Sequence, residues 1–160
     1  MNFRSVLVLT GVAFSGCTSE AKAQPSEQDC APVEGTISAA VTRQSAQQTT
    51  VQGTVTGNLA GSVVARISQI VEGEDGVLQL TLAHDFVTDG GSVLSTTDTA
   101  TLTPVPGQPN VFQQTTTYTI VSGTKRFQGA TGQLTNHGET NLARGLLTLA
   151  YEGSVCGIAR

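Results

Sequence analysis

Tryptophan is missing from this chain, all aromatic residues together make up only 4% of it, and charged residues only 12%. An interior built without large rings relies on Val, Ala and Leu, whose small side chains leave room for a cavity. The scarcity of charge, with a formal net charge of −4, leaves no basic patch for nucleic acid or an anionic membrane surface, so neither is expected as a partner. No sustained apolar spacing of three and four marks a helix. The five prolines, at 25, 32, 104, 106 and 109, lie outside every segment that reads as a strand, three of them in the loop "PVPGQPN". There is no Gly-x-Ser-x-Gly elbow, no P-loop and no dinucleotide fingerprint, and His84 and His137 stand on separate segments without a helper cysteine. No cofactor and no metal are expected, and any site must be assembled across strands.

The beginning of the chain is different. "MNFRSVLVLTGVAFSGC" carries one basic residue, Arg4, and an apolar stretch from Val6 to Phe14 that is too short to span a bilayer. It reads as a secretory signal covering 1–17. Its end is open: "FSGC" resembles the lipobox of bacterial lipoproteins, whereas "AKA" at Ala21 to Ala23 is a conventional small-x-small cleavage site. The lipobox resemblance implies a lipidated Cys17, a flexible tether over 18–29 and a domain over 30–160. The protein would then be exported and held at the bacterial cell envelope, touching the membrane only through that lipid. The other cleavage makes it periplasmic or secreted.

Three cysteines are an odd number for an exported protein. Removing or acylating Cys17 leaves Cys30 and Cys156, one at each end of the domain, in a compartment that favours disulfides. The expectation is a Cys30–Cys156 bridge; the alternative is two buried thiols.

Between these cysteines Thr, Val, Gly and Ser dominate, residues of strands and turns. Alternation bounded by turn signals gives eight strand segments, at 33–42, 49–57, 62–71, 77–88, 92–103, 111–121, 132–142 and 146–155. "GNLAG", "EGEDG", "DGG" and "LARG" are short connections with Gly or Asn available for positive φ. Short connections make successive strands antiparallel neighbours. The expected fold is therefore all-β, a closed eight-stranded antiparallel up-and-down barrel that abolishes its own edges. Closure brings the first and last strands together, which suits a cysteine pair at the two ends.

Four glycines, Gly123, Gly129, Gly132 and Gly138, crowd into "IVSGTKRFQGATGQLTNHGET". A tight corner or a β-bulge needs backbone without a Cβ, and Phe127 is placed to plug the barrel end where the chain turns. In "SGTKRFQGATG", Gly123, Thr124, Phe127, Gly129, Ala130 and Gly132 resemble the signature of dirigent proteins and their bacterial relatives with the allene oxide cyclase barrel. Ser122 and Lys125 stand where glycines are usual in that run. The resemblance implies an eight-stranded barrel, a small hydrophobic ligand and steering of ring closure or radical coupling without a cofactor. It also implies assembly into trimers or dimers.

The inward faces follow from the alternation. In "VLQLTLAHDF", His84 shares a face with Leu78, Leu80, Leu82 and Phe86, and Asp85 points the other way. Asp98 lies with Leu94, Ala100 and Leu102, Tyr118 with Phe112 and Ile120, and Tyr151 with Leu147, Leu149 and Val155. Arg66, His137, Glu139 and Glu152 read as outward. His84, Asp98, Tyr118 and Tyr151 are thus the candidate catalytic or binding groups. A carboxylate or imidazole as base and a phenol as proton donor would suit a carbonyl or phenol in an apolar lumen. The expected function is binding of a small hydrophobic molecule. The alternatives are a cofactor-free isomerase or cyclase and a structural envelope protein with a filled barrel.

Overall fold

The structure, a computed structural model, describes residues 30–45 and 48–158. The expected signal, the tether and the lipidation of Cys17 lie outside the described residues. Eight strands follow one another: β1 (Cys30–Gln44), β2 (Thr49–Val55), β3 (Gly61–Glu72), β4 (Leu78–Thr88), β5 (Val93–Pro104), β6 (Val111–Gly123), β7 (Thr131–Asn141) and β8 (Leu146–Cys156). Each pairs antiparallel with its neighbour, and β8 returns to β1, so the ring is a closed eight-stranded barrel. The connections are as short as their sequences require. Gly76, Gly91, Gly107 and Gly145 all take the positive φ that their turns need.

The two barrel ends are built differently. At one end, here the floor, two 3-10 turns fold back over the lumen: Gly57–Leu59 after β2 and Lys125–Phe127 after β6. They drop Leu59 and Phe127 into the core, both essentially without solvent contact. The Arg126 guanidinium donates to the Asn58 carbonyl at 3.2 Å and links the two turns. Phe127 thus closes the barrel where the glycine run turns the chain. Gly123 makes room for it, because a Cβ there would stand 2.4 Å from the Phe127 carbonyl oxygen. Gly129 lets the chain leave the turn at φ +75°. At the other end, the mouth, no such plug exists among the described residues.

Cys30 and Cys156 are direct cross-strand partners where β1 meets β8, and they form a disulfide. The bridge lies at the floor, on the seam that closes the ring.

One expectation is corrected. Pro32 and Pro104 lie inside strands, as the third residue of β1 and the last of β5. Pro32 sits where β1 already pairs with β8 but β2 pairs only from Ile37 onward, so one edge of the strand is open there. A residue without an N–H is tolerated at such an edge and at a strand end.

The outer wall is polar: Gln113, Thr115, Thr117 and Thr119 of β6 face outward and are exposed. Apolar side chains point in, the reverse of a barrel with lipid around it. Arg66 and Asp85 also face outward and form an ion pair at 2.7 Å across β3 and β4.

Candidate functional site

The lumen has two unlike halves. Inward positions of β8, β1, β2 and β3 carry Leu147, Leu149, Ile37, Ala39, Val51, Val63, Ala65 and Ile67, an unbroken apolar wall toward the mouth. Inward positions of β4 to β7 carry His84, Thr96, Asp98, Gln114, Thr116, Tyr118, Asn136 and Thr140, all buried. The small side chain at Ala39 leaves space opposite this polar half. A cavity of about 70 Å³ results, lined by this wall except Ala65, by Val41 and Leu142 near the mouth, by Leu80, Leu82 and Leu102 on the facing side, and by His84, Tyr118, Gln114 and Thr140.

His84 and Asp98 are brought together as their inward alternation expects. They sit on adjacent strands, Leu82 being the cross-strand partner of Asp98. His84 Nδ1 lies 2.7 Å from Asp98 Oδ2, and the carboxylate is fully buried. A carboxylate only accepts, so Nδ1 carries the hydrogen, and in the tautomer with that single ring hydrogen Nε2 is an acceptor. The His84 ring stacks on Phe86 and meets the Tyr118 ring edge-on at a centroid distance of 4.9 Å. Both the His84 ring and Tyr118 line the cavity.

Tyr118 is anchored from behind by Asn136, whose Nδ2 donates to the phenol oxygen. Burial pushes the Tyr118 hydroxyl well above its ordinary range, and the Asp98 charge adds to this; hydrogen bonds from Asn136 and Thr116 act the other way. Tyr118 therefore keeps its proton and remains a donor. His84, able to accept through Nε2, and Tyr118, able to donate its hydroxyl, thus meet ring to ring in the lining of a largely apolar cavity. Nearer the mouth, Thr140 Oγ1 donates to Gln114 Oε1 at 2.6 Å, and Gln114 Nε2 donates to Thr116 Oγ1 at 3.0 Å.

Tyr151, the fourth candidate, stands apart. It is buried and inward as expected, but its hydroxyl accepts from the Leu59 N–H at 3.0 Å and donates to the Thr56 carbonyl at 2.8 Å. It ties the floor turn to β8 and does not line the cavity. Burial raises its pKa, with the Leu59 hydrogen bond opposing and the Glu34 charge adding.

Sequence reasoning passed over Thr96, Gln114, Thr116, Asn136 and Thr140 as site residues. The signal was present, since Thr96 shares the parity of Asp98, and Gln114 and Thr116 that of Tyr118. Threonine is so common in strands that its inward copies are hidden among the outward ones. Three buried oxygens of this half, Thr96 Oγ1, Asp98 Oδ1 and Asn136 Oδ1, have no hydrogen-bond partner among the described residues. Also among the described residues, no group of three or more His, Cys, Asp or Glu is gathered to hold a metal ion.

Comparison of the chain with protein-family models, with curated proteins and with solved structures finds no match. The functional reading rests on the geometry of the lumen.

Proposed function

We propose that the protein is an exported barrel that binds a small hydrophobic molecule in its lumen. The observation that carries this is the largely apolar cavity whose few polar lining residues include a hydrogen-bond acceptor, His84, beside a donor, Tyr118. A ligand with a hydroxyl at one end satisfies that pair, a carbonyl accepts from Tyr118 alone, and the hydrocarbon part lies against Ile37, Ala39, Val51 and Leu149. At about 70 Å³ the enclosed space is about half of a cavity that holds benzene. It receives the end of a ligand, and the remainder extends through the mouth. The cavity favours binding over a purely structural filled barrel. The disulfide suits an oxidising compartment, in keeping with the export signal at 1–17 and a lipid on Cys17. The likeness to the allene oxide cyclase and dirigent barrels is part of the same proposal, supported by the glycine run lying at the β6–β7 corner of an eight-stranded barrel.

An uncharged fluorescent naphthalene dye tests this. The protein should bind it, and Ala39→Phe, which fills the cavity from the apolar wall, should abolish binding while the strand signal in circular dichroism persists. No uptake, or uptake indifferent to Ala39→Phe, would refute the proposal.

The His84–Asp98 pair favours a second reading, a cofactor-free isomerase acting on an enolisable carbonyl compound. His84 Nε2 takes the proton from the carbon next to the carbonyl, Asp98 steadies the imidazolium, and Tyr118 donates to the enolate oxygen. With a β,γ-unsaturated ketone the enolate is a dienolate, and returning the proton from His84 to the γ carbon moves the double bond into conjugation and completes the isomerisation. The measurement is deuterium exchange into a hydrophobic ketone followed by NMR. The reading requires exchange that His84→Ala and Asp98→Asn both suppress, and it fails if the wild-type protein catalyses none.

A further inference from the structure

Exposed apolar side chains are not scattered over this barrel. Among the described residues six large hydrophobic side chains are exposed, and Val121 alone of these lies away from the mouth. The other five, Val41, Ile70, Val71, Leu142 and Leu146, are between 38% and 54% exposed. Val41 and Leu142 also line the cavity, so the patch continues the apolar wall of the lumen onto the rim, and Val71 and Leu146, of outward parity, extend it over the outer lip.

The rim residues form two ridges. In a ring of eight strands taken in order, the β3–β4 turn and the β7–β8 turn are four strands apart and therefore face each other across the mouth. Ile70 and Val71 approach the first turn, and Leu142 and Leu146 flank the second, with Val41 on adjacent β1. The ridges differ in charge. Glu72, Glu74 and Asp75 stand at the first, whereas Arg144 and Arg43 stand at the second, with Glu139 farther down β7. Among the described residues none of these charged side chains has an ion-pair partner within the chain.

We propose that the mouth is covered by the mouth of a second copy of this chain. A two-fold axis across the opening lays the acidic ridge of each copy on the basic ridge of the other, and the apolar side chains of both rims are buried between them. The contact is isologous, so each charge match occurs twice. A lipid surface is the poorer occupant, because a rim with more acids than arginines gains nothing from anionic headgroups. The dimer rests on the rim alone. Its consequence for ligands rests on the binding function proposed above: two shallow lumens become one closed chamber, which shields a ligand too long for either.

Native mass spectrometry of the processed protein released from detergent micelles counts subunits whether or not an acyl chain is attached. The wild-type chain should appear as a dimer. Arg144→Glu should shift it to monomer, with the dissociation constant raised roughly tenfold or more, and Glu72→Lys/Glu74→Lys should do the same. Mixing the two variants restores opposite charges at both symmetric contacts and should restore the dimer as a heterodimer. A wild-type monomer overturns the proposal, and one that floats with uncharged lipid vesicles when it carries no acyl chain assigns the rim to a membrane. A dimer or trimer indifferent to both charge reversals overturns it too, because the contact then lies on the barrel side. Dye uptake by the same samples separates the two claims: a monomer that binds dye leaves the lumen function standing, and a dimer that binds none leaves only the interface.

Discussion

Tyr151 shows how two side chains of the same type and parity come to do different work. Its hydroxyl is held between the Leu59 N–H and the Thr56 carbonyl, so Tyr151→Phe removes one oxygen and strands a buried donor. The expected cost is about 1–3 kcal/mol, seen as a lower urea midpoint with an unchanged slope, and dye binding should persist. A variant of full stability that no longer binds dye would put Tyr151 in the site after all. Tyr118→Phe should cost a similar amount, because Asn136 Nδ2 loses its acceptor, and should in addition weaken a hydroxyl- or carbonyl-bearing ligand. On the outer wall, the Arg66 hydrogen bond, with help from Ser95, holds Asp85 below its ordinary 3.8. The folded state thus binds that proton less readily than the unfolded chain. The pair's contribution is present above about pH 4, and is lost as pH falls through the folded value. Arg66→Gln should raise the Asp85 pKa in carbon NMR, yet with side chains 46% and 32% exposed it should change stability at pH 7 by less than about 1 kcal/mol. Alternation told which of these residues point inward; it did not tell how far along the barrel axis each lies, and that height separates Tyr151 from Tyr118.

At the scale of elements, the two 3-10 turns decide which end of the barrel is closed. Phe127→Ala should cost about 3–5 kcal/mol and Leu59→Ala about 2–5, measured by urea unfolding, because each leaves a hole under a turn that backbone bonds keep in place. Both variants should still bind dye at the opposite end. If Phe127→Ala instead abolished dye binding at unchanged stability, the glycine run would be a ligand loop rather than a corner. The corner itself was legible, since "SGTKRFQGATG" spaces its glycines around one Phe in a manner that suits few backbones other than a tight return over an apolar end. The strands were legible as well, each placed within about three residues. Pro32 was misjudged for a local reason: proline is barred from a strand by its neighbours, and whether a second neighbour exists at that height depends on the stagger of β1 against β2 and β8.

For the whole molecule, closure was readable because every connection is short, so each strand has only one place to go. The division of the lumen into a polar and an apolar half was not, because it depends on which strands end up opposite one another across the ring and at what stagger. Closure also fixes the role of the disulfide. Cys30 and Cys156 are 126 residues apart, and in the chain-entropy description a loop of that length restricts the unfolded chain by about 4–5 kcal/mol. The folded barrel needs the bond far less, since β1 and β8 are paired continuously from Cys30–Cys156 to Ala40–Leu146. Cys30→Ala/Cys156→Ala should therefore lower the urea midpoint substantially and leave the circular dichroism spectrum and dye binding of the folded protein unchanged. Because the bridge lies at the floor, reduction should not open the mouth. A reduced protein that loses its strand signal without denaturant would mean that the β1–β8 ladder cannot hold the seam, and that the ring is closed by the covalent bond rather than by pairing.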